Sequence, residues 1–244
     1  MNDIERKTFT VAFTDVDQSD RLKLSTVCDY FQEAADNHAE SLGVGRSAMA
    51  QTGEVWILSR LSVLMERRPK YRETITVRSW PRGSERLFAI RDYDVLDASG
   101  KPIVRGRSGW LIVDIKKHRP LRPQEKVSKL PLNAELDALP SLANIGQRNG
   151  LELADERVSF YSDVDYNGHV NNSRYVQWIQ DITKPDILEK ADCMRFDINY
   201  VSETRFKETT ELWSGPIEDG FAYEGRRNGG IVFRAELAFS ENRA

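Results

Sequence analysis

Cysteine is nearly absent from this 244-residue chain, which has only Cys28 and Cys193. Two thiols so far apart form neither a disulfide framework nor a zinc knuckle; they read as packed free thiols in a reducing cytoplasm. Long apolar runs are also missing, so no segment is suited to cross a bilayer as a helix. The opening residues, MNDIERKTFTV, mix charges of both signs and lack the apolar stretch of a secretory leader. There is no large charge excess either. Against 38 acidic residues stand 35 basic ones, for a net charge of −3, which is not the balance of a nucleic-acid binder. The expectation is a cytoplasmic protein without a membrane or nucleic-acid partner. No metal-ligand spacing or cofactor motif is present, so neither metal nor cofactor is expected. Of the three histidines, His38 and His118 read as structural or surface residues.

What the chain does have is 40% hydrophobic and 30% charged residues, enough for one large globular domain or two modest ones. Alternation of Phe9, Val11 and Phe13 predicts a strand over residues 8–13. A helix is expected over residues 26–42, capped by Ser25 and ended by Gly43, with Val27, Tyr30, Phe31, Ala34, Ala35, His38 and Leu42 inward. Strands are expected over residues 54–65 and 73–80. Two more, over 87–96 and 103–115, flank a hairpin loop at 97–100. Residues 119–155 hold four prolines and read as an inter-domain connector, with a short helix at 132–142.

The pattern then restarts. Phe13-Thr14-Asp15-Val16-Asp17 matches Tyr161-Ser162-Asp163-Val164-Asp165, and in the same register Tyr30 meets Trp178 and Gln32 meets Gln180. Strands are expected again over 194–201, 221–226 and 231–239. An internal repeat decides the fold. Here each half is a strand, a helix and four strands, an α+β arrangement of two antiparallel sheets, each wrapped around a long central helix and paired edge to edge. The expected division is 1–118, a connector at 119–155, and 156–244.

The repeat breaks at one informative place. Asp165, Asn167 and His169 fall at alternate positions, and on an extended backbone they would share a face. In the first half their partners are Asp17, Ser19 and Arg21, so the polar triplet exists only in the second. Glu203 lies opposite Arg68 of the first half. A turn that needed the triplet merely to fold would carry it twice. The asymmetry therefore points to acid/base and hydrogen-bonding chemistry. Asn171, Asn172 or Ser173 can cap the helix that follows, whose apolar face carries Tyr175, Val176, Trp178, Ile179 and Ile182.

Three stretches carry a family resemblance: FQEAADNHAESLG (31–43), VWILSRLSVLMERRPKYRETITVRSW (55–80), and DVDYNGHVNNSRYVQWI (163–179) with YVSETR (200–205). Together they resemble the acyl-acyl carrier protein (acyl-ACP) thioesterases, the plant plastid enzymes and their bacterial relatives. The resemblance implies a tandem of two hotdog domains and hydrolysis of long-chain acyl-ACP to free fatty acid. It maps Asp165, Asn167, His169 and Glu203 onto catalytic positions. It also implies an acyl pocket in the first half, with Phe31, Trp56, Leu58, Leu61 and Val63 as candidate lining. The plant enzymes have a cysteine after the catalytic Glu; here Thr204 stands there, so a cysteine acyl-enzyme at that place is not required.

An acidic carrier bearing its phosphopantetheine-linked acyl chain is the implied partner. Basic clusters are its expected dock: Arg67, Arg68 and Lys70, and Lys116 and Lys117, with Arg226 and Arg227 a smaller third. Alternatives are an acyl-CoA or aryl-CoA thioesterase, a hotdog hydratase, and a non-catalytic acyl-binding module. The internal pairing of halves fits a monomer; a homodimer is also open.

Overall fold

A computed structural model describes residues 4–191 and 193–240. Parts of the end ranges expected above, residues 1–3 and 241–244, lie outside the described residues. The first half runs β1 (Glu5–Thr10), α1 (Leu24–Ser41), α2 (Arg46–Gln51), β2 (Glu54–Met65), β3 (Thr74–Glu85), β4 (Phe88–Leu96), β5 (Pro102–Asp114) and β6 (Arg119–Leu121). A short helix, α3 (Gln124–Val127), lies within the connector, just after β6. The second half runs β7 (Glu152–Val158), α4 (Asn172–Ile182), α5 (Pro185–Lys190), β8 (Cys193–Tyr200), β9 (Thr209–Ile217), β10 (Gly220–Arg227) and β11 (Gly230–Ser240).

The strands form one continuous sheet in the order β1-β3-β4-β5-β2-β8-β11-β10-β9-β7, with β6 added on β5. Its two halves mirror each other about the β2–β8 seam, where antiparallel pairing runs from Arg60↔Asn199 to Met65↔Met194. The expected edge-to-edge pairing is there, and it fuses the two half-sheets into a single one.

α1 is buried because its inward residues are apolar or small. Val27, Phe31, Ala34 and Ala35 are at most 5% exposed. Phe31 stacks on Tyr93 with ring centroids 4.5 Å apart, and its ring lies over Gly106, where a Cβ would come within 2.3 Å. β5 needs a glycine there for the helix to seat. α1 starts two residues earlier than expected. Its cap position is Lys23, not Ser25, and the Ser25 N–H donates to Gln180 Oε1 of α4 at 2.9 Å. Reciprocally, Gln32 Nε2 of α1 donates to Asn171 Oδ1, which caps α4 through the Ser173 N–H. Each long helix thus satisfies donors or acceptors at the other's start. β1 ends at Thr10, short of the expected Phe13, because Phe13 opens a one-turn 3₁₀ helix and is exposed.

The connector differs most from expectation. It has no helix at 132–142, and both its ends belong to the sheet as β6 and β7. Between them it straps the sheet face opposite α1. Trp80 Nε1 donates to the Leu136 carbonyl, Arg107 reaches Asp137 and the Pro140 carbonyl, and Arg60 reaches Asn144. Asn199 of β8 exchanges hydrogen bonds with Ala143 and Ile145, and Arg148 pairs with Glu236 of β11. The strap therefore crosses the seam between halves. Its deepest anchor is the bidentate pair of Arg107 with Asp92, 3% and 0% exposed.

Candidate functional site

The two polar turns repeat almost bond for bond. In the first half Asp17 N–H donates to the Arg21 carbonyl at 2.9 Å, and Asp20 N–H to the Asp17 carbonyl at 3.1 Å. In the second, Asp165 N–H donates to the His169 carbonyl at 2.9 Å, and Gly168 N–H to the Asp165 carbonyl at 3.0 Å. The fourth position is left-handed in both, φ 62° at Asp20 and 79° at Gly168. Glycine removes the steric cost in the second copy. Just after each turn the chain pairs with a second loop: Leu22 N–H on the Pro69 carbonyl, Val170 N–H on the Thr204 carbonyl.

This geometry corrects the extended-face expectation. Asp165, Asn167 and His169 sit together on a tight turn, not along a strand. Asp165 Oδ1 accepts the Asn167 N–H at 2.8 Å, as Asp17 Oδ1 accepts the Ser19 N–H at 2.9 Å. One oxygen of Asp165 therefore builds the turn.

The two turns part where Arg68 and Glu203 face each other in the repeat. Arg68 is 2% exposed and closes its turn: it pairs with Asp17 and donates to the carbonyls of Leu22, Arg21 and Leu188. Burial alone would raise the Asp17 carboxyl, but hydrogen bonds from Ser19 and Arg68, with the Arg68 charge, outweigh it and hold the group below the usual carboxylate value. In the second turn Glu203 replaces the arginine, and its Oε2 lies 3.0 Å from His169 Nε2. The His169 and Glu203 side chains are 24% and 49% exposed, so this copy is open to solvent. The structure thus brings His169 and Glu203 into contact, with Asn167 on the same turn.

Sequence reasoning missed two contacts next to this pair. Tyr175, expected only as an apolar helix residue, uses its hydroxyl to accept the Thr204 N–H at 3.1 Å, pinning the loop that carries Glu203. Tyr166, inside the turn, lies under the Arg46 guanidinium, 4.1 Å from its ring centroid. The repeat alignment held a partial signal for such cross-contacts in the Gln32–Gln180 match, but not for Arg46.

The other expected residues divide. Phe31, Leu61 and Val63 belong to the main hydrophobic core. Leu58 is buried, while Trp56 is half-buried with its Nε1 donating to the Val44 carbonyl. Arg68 is corrected outright as a docking residue, because its guanidinium is buried and engaged. Arg67 pairs bidentately with Glu73, Lys70 is exposed, and Arg226 and Arg227 pair with Glu224 and Glu208. Lys116 and Lys117 are exposed beyond the end of β5. Since Glu54 of β2 pairs with Asp114, these lysines lie at the end of the sheet where β2 begins, as Glu203 does. Arg67 and Lys70 follow the other end of β2, on the order of 35 Å away along the strand. His38 is buried against Arg91 and His118 is exposed, as expected of structural and surface residues.

Comparison with known proteins agrees with this architecture. Residues 2–130 match the family of the acyl-ACP thioesterase N-terminal domain, and residues 154–240 that of the C-terminal domain. A chloroplastic acyl-[acyl-carrier-protein] hydrolase of Cuphea viscosissima is 23% identical over 232 residues, covering 89% of this chain and 56% of its own. The chloroplastic dodecanoyl-[acyl-carrier-protein] hydrolase of Cinnamomum camphora is 26% identical over 244 residues, covering 90% and 62%. The chain thus spans little more than half the length of these curated relatives. Among solved structures, an acyl-ACP thioesterase from Bacteroides thetaiotaomicron superposes with a TM-score of 0.88 at 26% identity, covering 98% of both chains. The 12:0-ACP thioesterase from Umbellularia californica gives 0.80 at 22% identity, again over 98% of both, and supports the fold alone. Two matched halves, in order and over most of its length, make this chain a member of the acyl-ACP thioesterase family, with the double hotdog fold.

Proposed function

We propose that this protein hydrolyses the thioester of long-chain acyl-ACP, releasing free fatty acid and holo-carrier in fatty acid biosynthesis. The observation that carries the reading is the His169–Glu203 contact in the one polar turn that lacks a closing arginine. A thioester needs an activated water and a stabilised oxyanion; its thiol leaves readily. Glu203, held through Oε2 by His169, has a second oxygen with which to take the water's proton. The Asn167 side-chain amide donates to the developing oxyanion, while His169, whose Nε2–H donates to Glu203, holds that base in place. The C–O bond forms first, giving the oxyanion; its collapse breaks the C–S bond as the proton held by Glu203 passes to the departing sulfur. Asp165 serves first as the acceptor that shapes the turn.

The acyl chain is assigned to the first half near the start of β2, where Trp56 and Leu58 lie at the same end of the sheet as Glu203. Phe31, Leu61 and Val63 form the packed wall behind them. The carrier must bring its prosthetic arm to His169, which favours Lys116 and Lys117 over Arg67 and Lys70 as its dock. No helix among the described residues is long and apolar enough to cross a membrane. A cytoplasmic monomer is the proposed state, supported by free Cys28 and Cys193 and by the internal pairing of the two half-sheets.

The test is thiol release from a panel of acyl-ACPs and matching acyl-CoAs. Faster release from long-chain acyl-ACP is expected. Release from CoA esters alone would replace the carrier reading with a general thioesterase, and tight acyl binding without release would reject hydrolysis.

A further inference from the structure

Each half carries a short helix after its long one, and each short helix reaches the polar turn of the other half. From α5, Glu189 accepts a hydrogen bond from Gln18, and the Leu188 carbonyl accepts from Arg68 at 2.9 Å. From α2, the Arg46 guanidinium lies over the Tyr166 ring at 4.1 Å. Gln18 and Tyr166 are equivalent positions, each directly after the aspartate that ties its turn. The cross-brace is thus built twice, with different chemistry. In the first half it adds to a turn already closed by the buried Arg68. In the second half no arginine fills that place, and the brace falls on the turn that holds Asn167 and His169.

The segment carrying Arg46 is itself anchored. Ser47 N–H donates to Glu40 Oε1 at 3.4 Å, Gly45 lies against the Glu40 side chain, and Trp56 Nε1 holds the Val44 carbonyl at 2.8 Å. Arg46 is therefore presented from a fixed base. Tyr166 is 63% exposed, and a ring so exposed has little burial to hold it in one rotamer.

We infer that Arg46 is a positioning residue, whose cation–π contact with Tyr166 fixes the Asp165–His169 turn and keeps His169 on Glu203. The inference rests on the proposed hydrolase reading. Its test uses the full chain as wild type, Arg46→Ala, Arg46→Lys, Tyr166→Ala and the double alanine variant. Steady-state kinetics on acyl-ACP are paired with amide hydrogen exchange of residues 165–169. Each single alanine variant is expected to lower kcat about five-fold with KM nearly unchanged, the factor an exposed cation–π contact corresponds to. Lysine should restore most of the rate. The double variant should be no worse than either single one, because both remove the same contact. Exchange at the Asp165 and Gly168 amides should quicken in Arg46→Ala. An active enzyme with unchanged kcat in Arg46→Ala, or with losses that multiply in the double variant, overturns the positioning role. If the wild type hydrolyses no thioester, the hydrolase reading fails. The brace is then judged on exchange alone, upheld if it quickens and overturned if it does not.

Discussion

At the scale of single residues, Asp17 with Arg68 and His169 with Glu203 make a comparison inside one chain. The backbone hydrogen bonds are the same, but the partner is a buried arginine in one turn and an exposed glutamate in the other. Arg68→Ala leaves Asp17 with its counter-charge removed, and a loss of about 3 kcal/mol in urea unfolding is expected. The pH dependence follows from the lowered Asp17 pKa. Its stabilisation is complete above the usual carboxylate range, and it is lost as pH falls through the depressed folded value. Asp17→Asn should flatten the acid limb of a stability–pH curve, and an unchanged limb would show that other carboxylates set it. On the second turn, Asp165→Asn keeps an acceptor oxygen for the Asn167 N–H. Retained activity in that variant would mark Asp165 as a turn-builder. A loss of ~100-fold or more with unchanged melting would mark its charge as part of the chemistry.

Three of the four candidate residues, Asn167, His169 and Glu203, stood out in the sequence because the repeat failed at them, whereas Asp165 repeats Asp17. What escaped was the use of charge. Arg68 stands beside Arg67 and Lys70 and reads as surface. Its partners are Asp17 and the carbonyls of residues 21, 22 and 188, from segments far apart in the chain, and no local pattern reports that convergence.

Among the elements, α1 and α4 were readable from apolar spacing, but their starts were not. α1 begins without a capping side chain of its own and takes Gln180 from α4 instead, a contact that exists only after the helices have packed. Gln180→Ala should therefore cost about 1 kcal/mol, as loss of a local cap does. Gln32→Ala should cost a comparable amount and, by loosening the start of α4 beside Asn171, lower activity as well. Equal effects of the two variants on activity would contradict that assignment. Alternation of Asp165, Asn167 and His169 is compatible with an extended strand or with a tight turn, and the left-handed conformation of Gly168 gives the turn.

For the whole molecule, the repeat foretold two paired halves, and the single sheet through β2 and β8 is its physical form. The connector was hidden in plain composition. Its prolines and polar residues suggest a free linker, yet Leu139 and Ile145 are buried and Arg107 ties Asp137 to Asp92. Arg107→Ala would strand the buried Asp92 carboxylate and should lower stability by about 3–5 kcal/mol. Cutting the strap near residue 141 while leaving both halves intact should cost less. The charge map also changes at this scale. Lys116→Glu with Lys117→Glu should raise KM for acyl-ACP several-fold at low salt and leave acyl-CoA kinetics nearly unchanged. Reversal of Lys70, at the far end of the sheet, should do neither.

The most direct measurement is single-turnover thiol release from a long-chain acyl-ACP by the wild type and by Glu203→Gln, with unfolding followed on both. Glutamine can still meet His169 but cannot accept a proton from water. The account predicts rapid release by the wild type and release slower by ~100-fold or more in the variant, at unchanged stability. Equal rates would remove Glu203, and with it the asymmetry between the two turns, from the explanation of activity.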